Sequence, residues 1–189
     1  MIARSKKSII FQQIFVLSVC AIFDLFAGSM LEEMRRNIEI LPGLVVMIPP
    51  LIDLRGNIGC ALGSRLGTAL HLGTIKPRFF LSREMKINVI SAIIVSVLGS
   101  LAVGIMSFIF TFLAGVEAMS VFNFLFIALF SGVLSGIILT PIAVLVSILS
   151  FKRGWDPDNI TGPVMTTIGD IVAIFCIFLS VSLLGWLRW

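Results

Sequence analysis

Long apolar runs, separated by short intervals that hold most of the charge, make up this chain. A bilayer crossing takes about 20 mostly apolar residues. Five runs are long enough: residues 8–30, 41–72, 86–115, 119–150 and 161–186. Each predicts a membrane-spanning α-helix, because only a helix or a closed barrel satisfies its own backbone in lipid. The first run follows Arg4, Lys6 and Lys7, as a secretory signal would. It exceeds the roughly 7–15 apolar residues of a signal core, so it is expected to remain as a span.

Within these runs, polar positions are rare and patterned. In PPLIDLRGNIGCALGSRLGTALHLG, residues 49–73, the helical period places Asp53, Asn57, Ala61, Ser64, Thr68 and His71 on one stripe. Gly56, Gly59, Gly63 and Gly67 form a ridge beside it. Small residues at that spacing let another helix approach closely, and the polar stripe would then border a cavity near the contact. Pro49 and Pro50 are expected to break or kink this helix and free carbonyls at mid-depth.

A second patterned stretch is DPDNITGPVMTTIGDIVAIFCIF, residues 156–178. Asp156 and Asp158 read as loop residues, whereas Pro163, Thr166, Thr167 and Asp170 share a helical face. Asp170 lies well inside an apolar span with no basic residue within a turn, so it needs a proton, an arginine from elsewhere or a visiting cation. Asp24, toward the end of span one, is a third intramembrane carboxylate and reads either as a site or as a solvated helix-end residue. Ser96, Ser100, Gly104 and Ser107 in span three, and Ser131, Ser135, Gly136 and Thr140 in span four, read as packing seams.

Composition agrees with this picture. The chain has 189 residues, 58% hydrophobic and 13% charged, against about a quarter charged in soluble domains. It reads as one all-α integral membrane domain over residues 1–189, with little room for a soluble module. The net charge of +4 reports orientation rather than nucleic-acid binding, because the cations sit in short loops. Nine of them, Arg4, Lys6, Lys7, Lys76, Arg78, Arg83, Lys86, Lys152 and Arg153, fall on one side. That side is expected to be cytoplasmic, with the N-terminus inside and the C-terminus outside, anchored by Trp186 and Trp189. Arg35, Arg36, Glu32, Glu33, Glu39, Glu117 and Arg188 fall on the other side. Cys20, Cys60 and Cys176 have no metal or disulfide spacing. Five helices are few for a transport path, and a homodimer would supply ten around a two-fold axis.

The two patterned stretches resemble the MgtE family of magnesium transporters and its eukaryotic solute-carrier relatives. The first resemblance rests on Pro49, Pro50, Gly56, Asn57, Gly59, Ser64 and Arg65. The second rests on Asp156, Pro157, Gly162, Pro163, Thr166, Thr167 and Asp170. It implies a homodimer whose second and fifth spans line a cation path on the two-fold axis, with Asp170 binding hydrated Mg²⁺. Cys60 stands where the family often has Gln, and the cytoplasmic sensor domains usual in bacterial members are not seen in this sequence. Mg²⁺ dehydrates reluctantly and keeps several waters, so two Asp170 carboxylates facing each other would suit it, with Thr166 and Thr167 bonding the waters. Mn²⁺, Ca²⁺ and Co²⁺ are also compatible with oxygen ligands.

The expected site is therefore Asp170, Thr166 and Thr167 for the metal. Asn57, Asp53, Ser64, Gly59 and Pro163 are expected along the path, and Asp24 at a second cation or proton site. Asp53 also reads as interfacial charge beside Arg55, Arg65 as a snorkelling or paired cation, and His71 as a loop-proximal residue. The other readings are a membrane-embedded Mg²⁺-dependent lipid-headgroup enzyme and a non-catalytic assembly subunit. The spread of Asp24, Asp53 and Asp170 along the sequence, with no nucleophile–base pair, argues against the enzyme.

Overall fold

A computed structural model describes residues 6–77 and 82–186. Arg4, Arg78, Arg188 and Trp189, used above for orientation and anchoring, lie outside them. The described chain is wholly helical: α1 (Lys6–Glu33), α2 (Arg35–Ile40), α3 (Leu44–His71), α4 (Arg83–Leu113), α5 (Val121–Lys152) and α6 (Pro157–Trp186). Apart from the short α2, each is long and apolar enough to span a membrane, which makes this a multi-pass membrane protein. Spans one to five are thus α1, α3, α4, α5 and α6.

Local chemistry sets the helix ends, and it moves them from the expected positions. Ser82 caps α4 by accepting from the Met85 N–H, so α4 begins three residues early. Ser120 caps α5 in the same way through Asn123. Pro157 opens α6, where its missing N–H costs nothing. Asp158, expected in a loop, is therefore in the first turn of α6. Pro49 and Pro50 do not break α3, which runs unbroken through both. They sit near its start, where they remove two ladder bonds but leave the long downstream segment intact. Gly43 precedes α3 with φ 87°, and a Cβ there would meet the Phe124 ring at 2.7 Å. Only glycine meets both demands.

α6 packs against α1, α3 and α5, while α4 packs against α3 and α5. The Met119 N–H donates to Pro42 O (3.1 Å), tying the α2–α3 and α4–α5 connections together at one end. At the other end His71 meets the Phe151 ring edge-on. Two apolar cores fill the bundle. One gathers Met34, Leu44, Met47, Phe124 and Ile127 near the first end. The other gathers Leu62, Leu66, Met85, Ile148 and Met165 toward the second. Between them lies a layer of small and polar side chains, including Ser96, Ser100, Ser131, Ser135 and Arg55, all buried. A small cluster of Val16, Cys20 and Ile160 seats α1 on α6.

Candidate cation site

The glycine ridge of α3 is what brings α3 and α6 into close contact. A Cβ on Gly56 would meet Thr166 at 3.2 Å, one on Gly59 would meet Met165 at 2.9 Å, and one on Gly63 would collide with Thr161. In return, a Cβ on Gly169 would meet the Gly56 backbone at 3.3 Å. Two backbones this close carry the residues flanking the ridge to one shared surface.

That surface is polar. Asp53, Asn57, Ala61, Ser64, Thr68 and His71, the stripe read from the sequence, are all exposed on the single chain. Thr166 is exposed beside them, and Asp170 and Pro163 are half-buried. The Asn57 amide donates to Asp53 Oδ2 (2.8 Å), which fixes the carboxylate's direction. The Thr166 hydroxyl donates to Pro163 O (2.8 Å), so its lone pairs are free for other donors. Asp24 is exposed on α1, which packs on α6, and Asp53 and Asp170 flank the close Gly56–Gly169 approach of α3 and α6. Two carboxylates separated by 117 positions in sequence, Asp53 and Asp170, are thus brought to one face. Among the described residues, no three His, Cys, Asp or Glu side chains are close enough to hold a metal ion together.

Two expected site residues sit differently. Gly59 is buried beneath Met165, because it belongs to the packing ridge, and it presents no surface. Thr167 is buried within the chain, one helical step from the exposed Thr166. Cys60, half-buried, donates its thiol to Gly162 O across the α3–α6 contact (3.4 Å).

One functional-looking residue was misread from the sequence. Arg55 does not accompany Asp53 at an interface; it is 2% exposed and points to the opposite side of α3. Its guanidinium donates to Gly132 O (2.9 Å), Ser100 Oγ (2.7 Å) and Ser96 O (3.4 Å). Gly132 and Gly136 make room for it, since a Cβ on either would crowd Ser100 or Ser96. The signal was present in the helical period. Position 55 falls on the side of α3 that holds Ile48, Leu51 and Leu62, all buried, and the small-residue seams of α4 and α5 face that side.

The sequence model of the MgtE family, described as divalent cation transporters, matches residues 48–180. The chain belongs to the MgtE family. Among its relatives, rat solute carrier family 41 member 3 is 26% identical over 146 residues. That alignment covers 74% of this chain and 30% of the relative. Chicken solute carrier family 41 member 2 is 25% identical over 182 residues, covering 90% of this chain and 31% of the relative. The human member 2 is 24% identical over 180 residues, with 90% and 31% covered. The chain therefore spans about a third of the length of these relatives. No solved structure matches it. MgtE proteins are transporters rather than enzymes, which removes the support for a lipid-headgroup enzyme. The family match includes α3 from Ile48 onward and α6 through Ser180, so it contains Asp53 and Asp170 but not Asp24.

Proposed function

We propose that this chain is the membrane unit of a homodimeric Mg²⁺ transporter, with a hydrated ion passing between two copies along α3 and α6. The observation that carries this reading is the close α3–α6 contact at Gly56 and Gly169, which sets Asp53 and Asp170 at one exposed polar face. A stripe of Asp, Asn, Ser and Thr facing lipid would be costly, so it has to be covered or wet. A second copy set against it by a two-fold axis does both. It doubles the carboxylates and encloses the stripe in a polar channel. Under this reading, the basic end of the bundle is cytoplasmic.

Asp170 is the principal ligand. It is half-buried and central in the span, and it is flanked by Thr166, whose hydroxyl oxygen can accept from a retained water. Asp53, held by Asn57, and Asp24 raise the local cation concentration without stripping the ion. A divalent ion that keeps its waters suits a site with few carboxylates, where hydroxyls and amides hold the retained waters. Weak, multi-point attraction also lets the ion leave. Asn57, Ser64 and Pro163 line the path on either side of that level.

Mg²⁺ flux into proteoliposomes, wild type beside Asp170→Asn, is the deciding test. The variant should fold and dimerise normally yet carry at least about tenfold less flux, the factor set by ~1.4 kcal/mol of lost binding. Flux unchanged in a well-folded variant would remove Asp170 from the path. Mn²⁺, Ca²⁺ and Co²⁺ offered as competitors in the same assay establish which ion the site prefers.

A further inference from the structure

Beside the polar face, where α3 turns toward α4, a groove of about 260 Å³ opens. Leu54 and Ala61 of α3 and Val95 of α4 form its apolar walls, and Asn57, Arg65, Asn88 and Ser91 supply its polar groups. Leu54, lodged against Gly99, lies at its inner end. Arg65 lies at the other end, six residues before the close of α3. The 11 positions between them span about 16 Å at the helical rise, close to one leaflet of a hydrocarbon core about 30 Å thick.

Arg65 is exposed and makes no ion pair among the described residues. One N–H of the Asn88 amide donates to Glu84 O (3.0 Å) and one of the Asn57 amide to Asp53 Oδ2 (2.8 Å), so Arg65 is the cationic donor of the lining, with the Ser91 hydroxyl beside it. No acid lines the groove. Asn57 and Ala61 border both the polar face and this groove, and the Arg65 guanidinium at its outer end repels metal cations, so the groove suits an anion rather than the transported ion. Lys76, Arg83 and Lys86 stand exposed at the same end and outnumber Glu84. Cationic pockets between spans at such a level suit acidic lipid headgroups, and the remaining apolar length suits an acyl chain.

We propose that the α3–α4 groove binds one anionic phospholipid, its phosphate on Arg65 and Ser91 and an acyl chain along Leu54, Ala61 and Val95. This site does not depend on the transport reading. Native mass spectrometry of the whole protein tests it, after equilibration in mixed phosphatidylglycerol and phosphatidylcholine. Wild type should retain one phosphatidylglycerol per chain in preference to phosphatidylcholine. Arg65→Gln should reduce that preference about fivefold, while Arg65→Lys should keep most of it. Ser91→Leu, which fills the groove with the charge intact, should lower retention of either lipid, and it stands in if Arg65→Gln fails to fold. Equal preference in wild type and Arg65→Gln would show surrounding lipid only and overturn the proposal. Loss of the dimer in Arg65→Gln with lipid retention unchanged would overturn it too, by marking the groove as a seat for a second copy.

Discussion

Arg55 carries a charge into the middle of the bundle and meets no carboxylate among the described residues. Two carbonyls and one hydroxyl take its protons, and hydrogen bonds to a charged group are worth about 1.5–3 kcal/mol each. Arg55→Ala should therefore lower the thermal unfolding midpoint sharply in detergent, by a loss on the order of 3 kcal/mol or more. Arg55→Lys should recover little, because a compact ammonium on a single point cannot reach three acceptors set in a fork. A lysine variant as stable as wild type would show that charge alone matters there. The contrast with Asp53 and Asn57 explains what could be read in advance. Their face is a matter of helical period, and the structure exposes that whole stripe. The partners of Arg55 are mostly backbone carbonyls, which every residue has, so no sequence pattern marks them.

At the level of helices, Gly63 against Thr161 is the tightest point between α3 and α6. Gly63→Ala should spread the two helices and weaken both stability and flux. Thr161→Ser removes the methyl that the new Cβ strikes, so the double variant should regain part of the loss. Unfolding midpoints of the two single variants and the double, taken as a cycle, give the coupling expected of residues in contact. Additive losses would mean the clash is relieved elsewhere. The glycine ridge was legible as a packing surface because its spacing is regular, but its partner was not. Nothing in residues 56–67 says that α6 rather than α4 lies against them. The prolines misled for a related reason: a proline near the start of a long helix disturbs only the turn before it, and α3 has more than 20 residues beyond Pro50.

For the whole molecule, a ligand that binds only the folded protein stabilises it by mass action. Mg²⁺ should raise the unfolding midpoint of the wild type in a concentration-dependent way, through a gain in stability of about 2.7 kcal/mol when the ion is at 100 times its Kd. Asp170→Asn should flatten that response while keeping the midpoint measured with chelator. An identical Mg²⁺ response in both proteins would move the ion elsewhere. The count and approximate place of the five spans were plain from apolar run length, since lipid imposes that length directly. The placing of Asp53 and Asp170 on one face was not, because it depends on which helices become neighbours.

The buried arginine also ties assembly to time. α3 is the least apolar of the five spans. Its charged residue finds acceptors only on α4 and α5, the farthest of them 77 positions downstream. At ribosomal rates of about 5–20 residues per second, that partner is made roughly 4–15 seconds after Arg55. Until then its guanidinium lacks its protein acceptors, and an arginine at the centre of a span costs about 2.5–3.5 kcal/mol. The order of synthesis thus leaves that cost unmet until the two helices that follow α3 have been made.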